Sequence, residues 1–184
     1  MRFCKSQAIG FAAIALLAIG WPVAAAKAGP RQIDADVHAT LDRFTFDVAG
    51  GGELLKQAYG VLVFPTVVKA GFGFGGEYGE GALLVGGRTS GYYNSVSGSF
   101  GFQLGAQARS VIIAFMTPEA LEAFRHKDGW KVGVDGSVAI IKVGAGGAID
   151  TNTVKSPVVG FIFDQKGLMY NLTLEGSKIS RIYR

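Results

Sequence analysis

Few residues of this chain have the types and spacing that chemistry needs. Gly71-Phe72-Gly73-Phe74-Gly75-Gly76 has the Gly-x-Gly-x-x-Gly spacing of a dinucleotide-binding turn. That turn works by placing a helix N-terminus against a pyrophosphate, so a helix must open at its end. The residues that follow, Glu77 to Gly87, are Gly-rich and strand-like, so no nucleotide or other cofactor is expected. His38 and His126 have no Cys, His or carboxylate partner at ligand spacing, which leaves no metal site and reads both as surface histidines. No Gly-x-Ser-x-Gly elbow is present, and Glu77 and Glu80 do not make a catalytic pair. Asn171-Leu172-Thr173 fits a glycosylation sequon, without consequence in a bacterial compartment. The expectation is a protein that is not an enzyme.

The N-terminus reads as an export signal spanning residues 1–28. Arg2 and Lys5 precede an uncharged run from Ala8 to Val23, and small residues follow at Ala24 to Ala28. The run is about 16 residues, short of the roughly 20 that span a bilayer. Cleavage is expected after Ala26 or Ala28, into a periplasm. Cys4 lies before the apolar run, so the mature chain has no thiol chemistry and no disulfide. Removing Arg2, Lys5 and Lys27 from the 18 Lys and Arg leaves 15 against 14 Asp and Glu. That near-neutral balance removes the argument for nucleic acid. Residues 29–184 form one domain of ordinary size.

The elements that must carry any site follow from periodicity. Ile33, Val37, Leu41 and Phe44 recur at helical spacing within a helical region over 32–58, which Gly50-Gly51-Gly52 divides. A second short helix is predicted from Glu53 to Ala58. From Gly60 onward the pattern is mostly strand. Val61 to Phe64 reads as a short strand closed by Pro65, and Val132, Val134, Val138 and Ile140 share one parity. Val158 to Phe163 is an apolar run, Gln165-Lys166-Gly167 reads as a hairpin turn, and Leu168 to Glu175 alternates as a half-buried strand. Thr117-Pro118-Glu119 opens a helix through Phe124, with Thr117 as cap. Of the 28 glycines, 26 lie from Gly29 onward, mostly within strand-like runs. Phe72, Phe74 and Tyr78 share one face of their segment, while the other is mostly Gly. A bare face of that kind admits a close neighbour, and its plainer reading is a tightly coiled barrel-like interior. The fold class is therefore α+β: N-terminal helices packed on a curved, mainly antiparallel, Gly-rich sheet or barrel-like shell.

Two blocks carry a family resemblance. Gly60-Val61-Leu62-Val63-Phe64-Pro65, with Lys69-Ala70-Gly71-Phe72 and Gly79-Glu80-Gly81, resembles the opening of the SYLF domain. Gly101-Phe102-Gln103-Leu104-Gly105-Ala106-Gln107 resembles its second signature, and Trp130 and Gly160 to Glu175 also fit. The resemblance implies a lipid-binding module without enzymatic activity, whose eukaryotic members bind phosphoinositides and regulate actin. In a periplasm, an anionic phospholipid or membrane surface is the nearest equivalent ligand. The expected contacts are the apolar helix face of Ile33, Val37, Leu41 and Phe44, with Arg31, Arg43 and Lys69 at the headgroups. The alternatives are an envelope protein that binds another protein through its Gly-rich face, and a small outer-membrane barrel. The predicted helices and the runs broken by Pro65 and Pro157 argue against the barrel.

Overall fold

The structure is a computed structural model that describes residues 28–143, 155–167, 174 and 176–184. The expected export signal thus lies almost wholly outside the described residues, as does most of the alternating segment Leu168 to Glu175.

Helix α1 runs from Pro30 to Asp47, with Pro30 at its first turn, where a missing N–H costs nothing. Helix α2 spans Gly51–Gln57. Strand β1 then runs from Gly60 to Val85 and β2 from Arg88 to Phe115. They are joined by Gly86 and Gly87, with φ of 57° and 76°, the pair of left-handed residues that a two-residue hairpin turn requires. Helix α3 covers Pro118–His126, and the Thr117 hydroxyl accepts from the Ala120 N–H at 3.2 Å, as the sequence predicts. Short strands β3 (Trp130–Lys131) and β4 (Ala139–Lys142) precede β5 (Val158–Gly167) and β6 (Lys178–Ile182).

Strand β2 is the spine of the sheet. It pairs with β1 along its length on one side, and with β6 and then β5 on the other. Strand β3 adds outside β6, and β4 adds parallel to β5; the remaining pairings are antiparallel. The fold is α+β, with N-terminal helices on a curved, mainly antiparallel sheet. Each face of the sheet buries its own core. Ile33, Val37 and Phe44 of α1 pack on Ala82, Leu84, Ile112 and Phe161 on the outer face. Leu62, Phe64, Leu83, Tyr93, Val111, Ile113 and Phe115 fill the inner face, closed by Phe124 of α3 and Trp130. The Phe124 ring sits 4.9 Å from Phe115, 5.0 Å from Tyr93 and 5.6 Å from Trp130.

Three expectations need correction. Pro65 does not end its strand. The ladder passes it through a bulge between Phe64 and Val67, which excuses the missing N–H, and the Ser110 hydroxyl donates to the Pro65 carbonyl at 2.8 Å. The bulge also shifts parity, so Leu62 and Phe64 before it and Val67 after it all face the inner core. Gln165-Lys166-Gly167 is not a turn. It continues β5 against Ala108 and Gln107, and the irregularity falls instead at Asp164, whose φ is 50°. Val134 leaves the parity of Val132, because residues 133–135 form a turn that exposes it.

The Gly-rich face has a packing role at Gly81. A Cβ there would lie 1.9 Å from the Val63 carbonyl oxygen. At Gly79 it would lie 2.8 Å from Val67 and 3.0 Å from the Thr66 carbonyl oxygen. The curl of the sheet brings the first half of β1 against its second half, with backbone in contact and no room for side chains.

Candidate functional site

The apolar stripe of α1 is core. Ile33, Val37 and Phe44 are buried, Leu41 is half-buried against the same cluster, and Phe44 meets Phe161 and Phe163 at ring distances of 5.0 and 5.1 Å. Of the expected headgroup contacts, Arg31 is exposed at the start of α1. Arg43 is also exposed, but its Nη1 pairs with Asp164 Oδ2 at 2.6 Å. Lys69 is 6 % exposed, which overturns its expected surface position. The reason is the parity set by the bulge: Lys69 follows Val67 onto the inner face of the sheet. The structure therefore does not bring the seven residues together as one surface.

Lys69 belongs to a charged layer at one end of the inner core. Arg109 Nη2 donates to Glu77 Oε1 at 2.6 Å, with side chains 1 % and 3 % exposed. Burial pushes the Glu77 carboxyl above its ordinary value, and the charges of Arg109 and Lys69 oppose that shift without cancelling it. Gln107 is buried in the same strand and accepts from Gln165 Nε2 at 3.4 Å. A buried ion pair of this kind is costly to form and costly to break, so it marks a specified interior.

On the opposite face of β1 lies a groove of about 960 Å3. One wall is the start of α1, with Ala28, Ile33 and Asp36. The other is β1 on both sides of its bend, from Pro65, Thr66, Val68 and Ala70 to Gly76–Glu80, with Val96 and Ser97 of β2. Its lining is mostly apolar. Val68, Tyr78 and Val96 stand 45 %, 49 % and 44 % exposed there, and Tyr78 and Val96 are cross-strand partners. The polar groups are few and acidic at the rim. Glu80 accepts from the Tyr78 hydroxyl at 2.5 Å and also pairs with Arg184. An open apolar concavity of this size, with a few polar groups at its edge, suits an apolar ligand. Sequence reading missed it. Its signal was the shared parity of Thr66, Val68 and Ala70, visible only once β1 is known to pass Pro65.

The remaining sequence candidates do not add chemistry. Gly71–Gly76 lies within β1, and strand continues after it to Val85, so no helix N-terminus faces the glycines. His38 and His126 are exposed. Among the described residues, no group of three His, Cys, Asp or Glu could hold a metal ion, and no helix is long and apolar enough to cross a membrane.

Comparison with protein families gives a match to part of the chain. The family model described as "Ysc84: Las17-binding protein actin regulator" matches residues 96–182, from the middle of β2 to the end of β6. Of the two blocks that carry the resemblance, the one at Gly101 to Gln107 falls within the match and the one at Gly60 to Gly81 precedes it. No curated protein matches the chain.

Proposed function

Residues 96–182 carry the Ysc84 (SYLF) domain, and from that premise we propose that the protein is a non-enzymatic lipid-binding module, exported to a bacterial periplasm, that works at an anionic phospholipid surface. The observation that carries the reading is the open apolar groove between α1 and the bend of β1, with Val68, Tyr78 and Val96 presented to solvent. Leaving three large apolar side chains half exposed in one concavity costs hydration free energy, and an acyl chain would relieve it. Of the α1 stripe, Ile33 also lines the groove, while Val37 and Phe44 support the wall from within. Export rests on Arg2, Lys5 and the apolar run, and N-terminal sequencing of the mature protein should begin at Lys27 or Gly29.

The test is flotation of the processed protein with phospholipid vesicles over a salt series. Apolar insertion predicts a part of the binding that survives high salt, since screening acts only on charge. Failure to float at any salt would favour a protein-interaction role. The description of the matching family, as Las17-binding and actin-regulating, supports that second reading.

A further inference from the structure

The apolar groove offers an acidic rim, so a preference for anionic lipid must arise elsewhere. A cationic cleft lies between the end of α3 and the pairing of β2 with β6. It has a volume of about 190 Å3 and is lined by Ser90, Tyr93, Glu122, Arg125, His126 and Arg181. We propose that this cleft is a binding site for a phosphate group, held by Arg125 and Arg181 with the hydroxyls of Ser90 and Tyr93 as further partners.

The fold brings these residues together. Arg181 lies directly across the ladder from Tyr93, and the Tyr93 ring packs at a tilt against Phe124, the residue before Arg125. Burial raises the Tyr93 hydroxyl above its ordinary value, and the nearby charges of Arg181 and Arg125 oppose that shift without cancelling it. The cleft's carboxylate is already engaged: Glu122 Oε1 accepts from Arg125 Nη1 at 3.0 Å, and its Oε2 lies 3.4 Å from His126 Nδ1. Arg181 forms no ion pair among the described residues. Its guanidinium lies over Gly91, where a Cβ would meet Nε and Nη2 at 3.5 Å, an ordinary contact distance. Two guanidinium groups against one carboxylate leave the cleft cationic, and the guanidinium fork matches phosphate oxygens in pairs.

The cleft has a neighbouring hollow. This hollow, of about 300 Å3, shares Ser90 and Arg181 with it and extends to Tyr183 and Arg184. Arg184 pairs with Glu80, which lines the groove. Tyr183, 91 % exposed, stands beside this strip as an aromatic of the kind that settles at a membrane interface. The phosphate assignment does not depend on the lipid reading, because a soluble phosphate ester presents the same group.

The experiment compares the processed protein with Arg181→Gln and with Arg125→Gln plus Arg181→Gln. Each is titrated with inorganic phosphate by calorimetry and with phosphatidylcholine vesicles with and without phosphatidylglycerol, and folding is checked by circular dichroism. We expect the phosphatidylglycerol preference to fall about fivefold with Arg181→Gln, and further with the double variant, while neutral-vesicle binding is unchanged. Phosphate binding without vesicle binding, lost in Arg181→Gln, would support the site with a soluble ligand and sink the lipid reading. Vesicle binding with a preference that both variants retain would overturn the site and leave the lipid reading standing. Binding of neither phosphate nor phosphatidylglycerol by the folded wild type would overturn it as well.

Discussion

Glu77 and Arg109, 32 residues apart in the chain, meet at 2.6 Å inside the sheet with almost no exposure to solvent. Removing one member of such a pair strands the other charge. Arg109→Met is expected to cost about 3–5 kcal/mol of stability, measured by urea unfolding. A loss under about 1 kcal/mol would mean that water reaches the pair in solution.

The same pair sets a pH dependence. The Glu77 carboxyl is raised above its ordinary value of 4.5, with burial the leading cause. The folded state therefore holds this proton more tightly than the unfolded state does. The stability it contributes is fully present below 4.5 and is lost as pH rises through the folded value. Asp135 acts with the opposite sign at lower pH. The Lys131 N–H and Lys127 hold it below 3.8, so its contribution is lost as pH falls through the folded value. Comparison with Glu77→Gln isolates the first effect: the wild type should lose stability relative to the variant as pH rises from about 4.5. Parallel pH profiles for the two proteins would count against a raised Glu77.

Glycines of one strand should differ sharply in what they tolerate. Gly81→Ala forces a Cβ against the Val63 backbone at 1.9 Å, where only movement of the sheet gives relief. Its cost should reach or exceed the upper end of the roughly 1–3 kcal/mol typical of overpacking. Gly76→Ala meets nothing within 4 Å and should change stability by no more than about 0.5 kcal/mol. Thermal unfolding of the two variants checks this, and equal melting temperatures would contradict the close approach.

The α1 stripe, the Thr117 cap and the Gly-rich strands were legible in sequence because each is a local pattern of spacing and residue type. What stayed hidden depends on contacts far along the chain. Pro65 reads locally as a strand end, and only the partner strand shows that a bulge carries the ladder past it. Lys69 reads as a surface cation, and only the fold shows it buried within reach of the Glu77 carboxylate, whose charge its own opposes. The groove exists because α1 lies beside two parts of β1 that the bend brings together. The phosphate cleft likewise joins α3, β2 and β6, whose basic residues look scattered in one dimension.

Two variants separate the wall of the groove from its surface. Phe44 is wholly buried against Phe161 and Phe163, so Phe44→Ala removes core and should cost about 3–5 kcal/mol. The fraction that remains folded should bind neutral vesicles as the wild type does. Val68 and Val96 are nearly half exposed in the groove, so Val68→Asp with Val96→Asp should leave stability within about 0.5 kcal/mol. Each valine has roughly half of its side chain left to bury, about 1 kcal/mol, and the pair together corresponds to about a thirtyfold change in affinity. The carboxylates add a desolvation cost, so thirtyfold is the lower bound for the loss of salt-resistant binding. Vesicle flotation at high salt, with urea unfolding on the same samples, reads both quantities. Unchanged flotation by the double valine variant would remove the groove as the lipid contact, whatever the outcome at the cationic cleft.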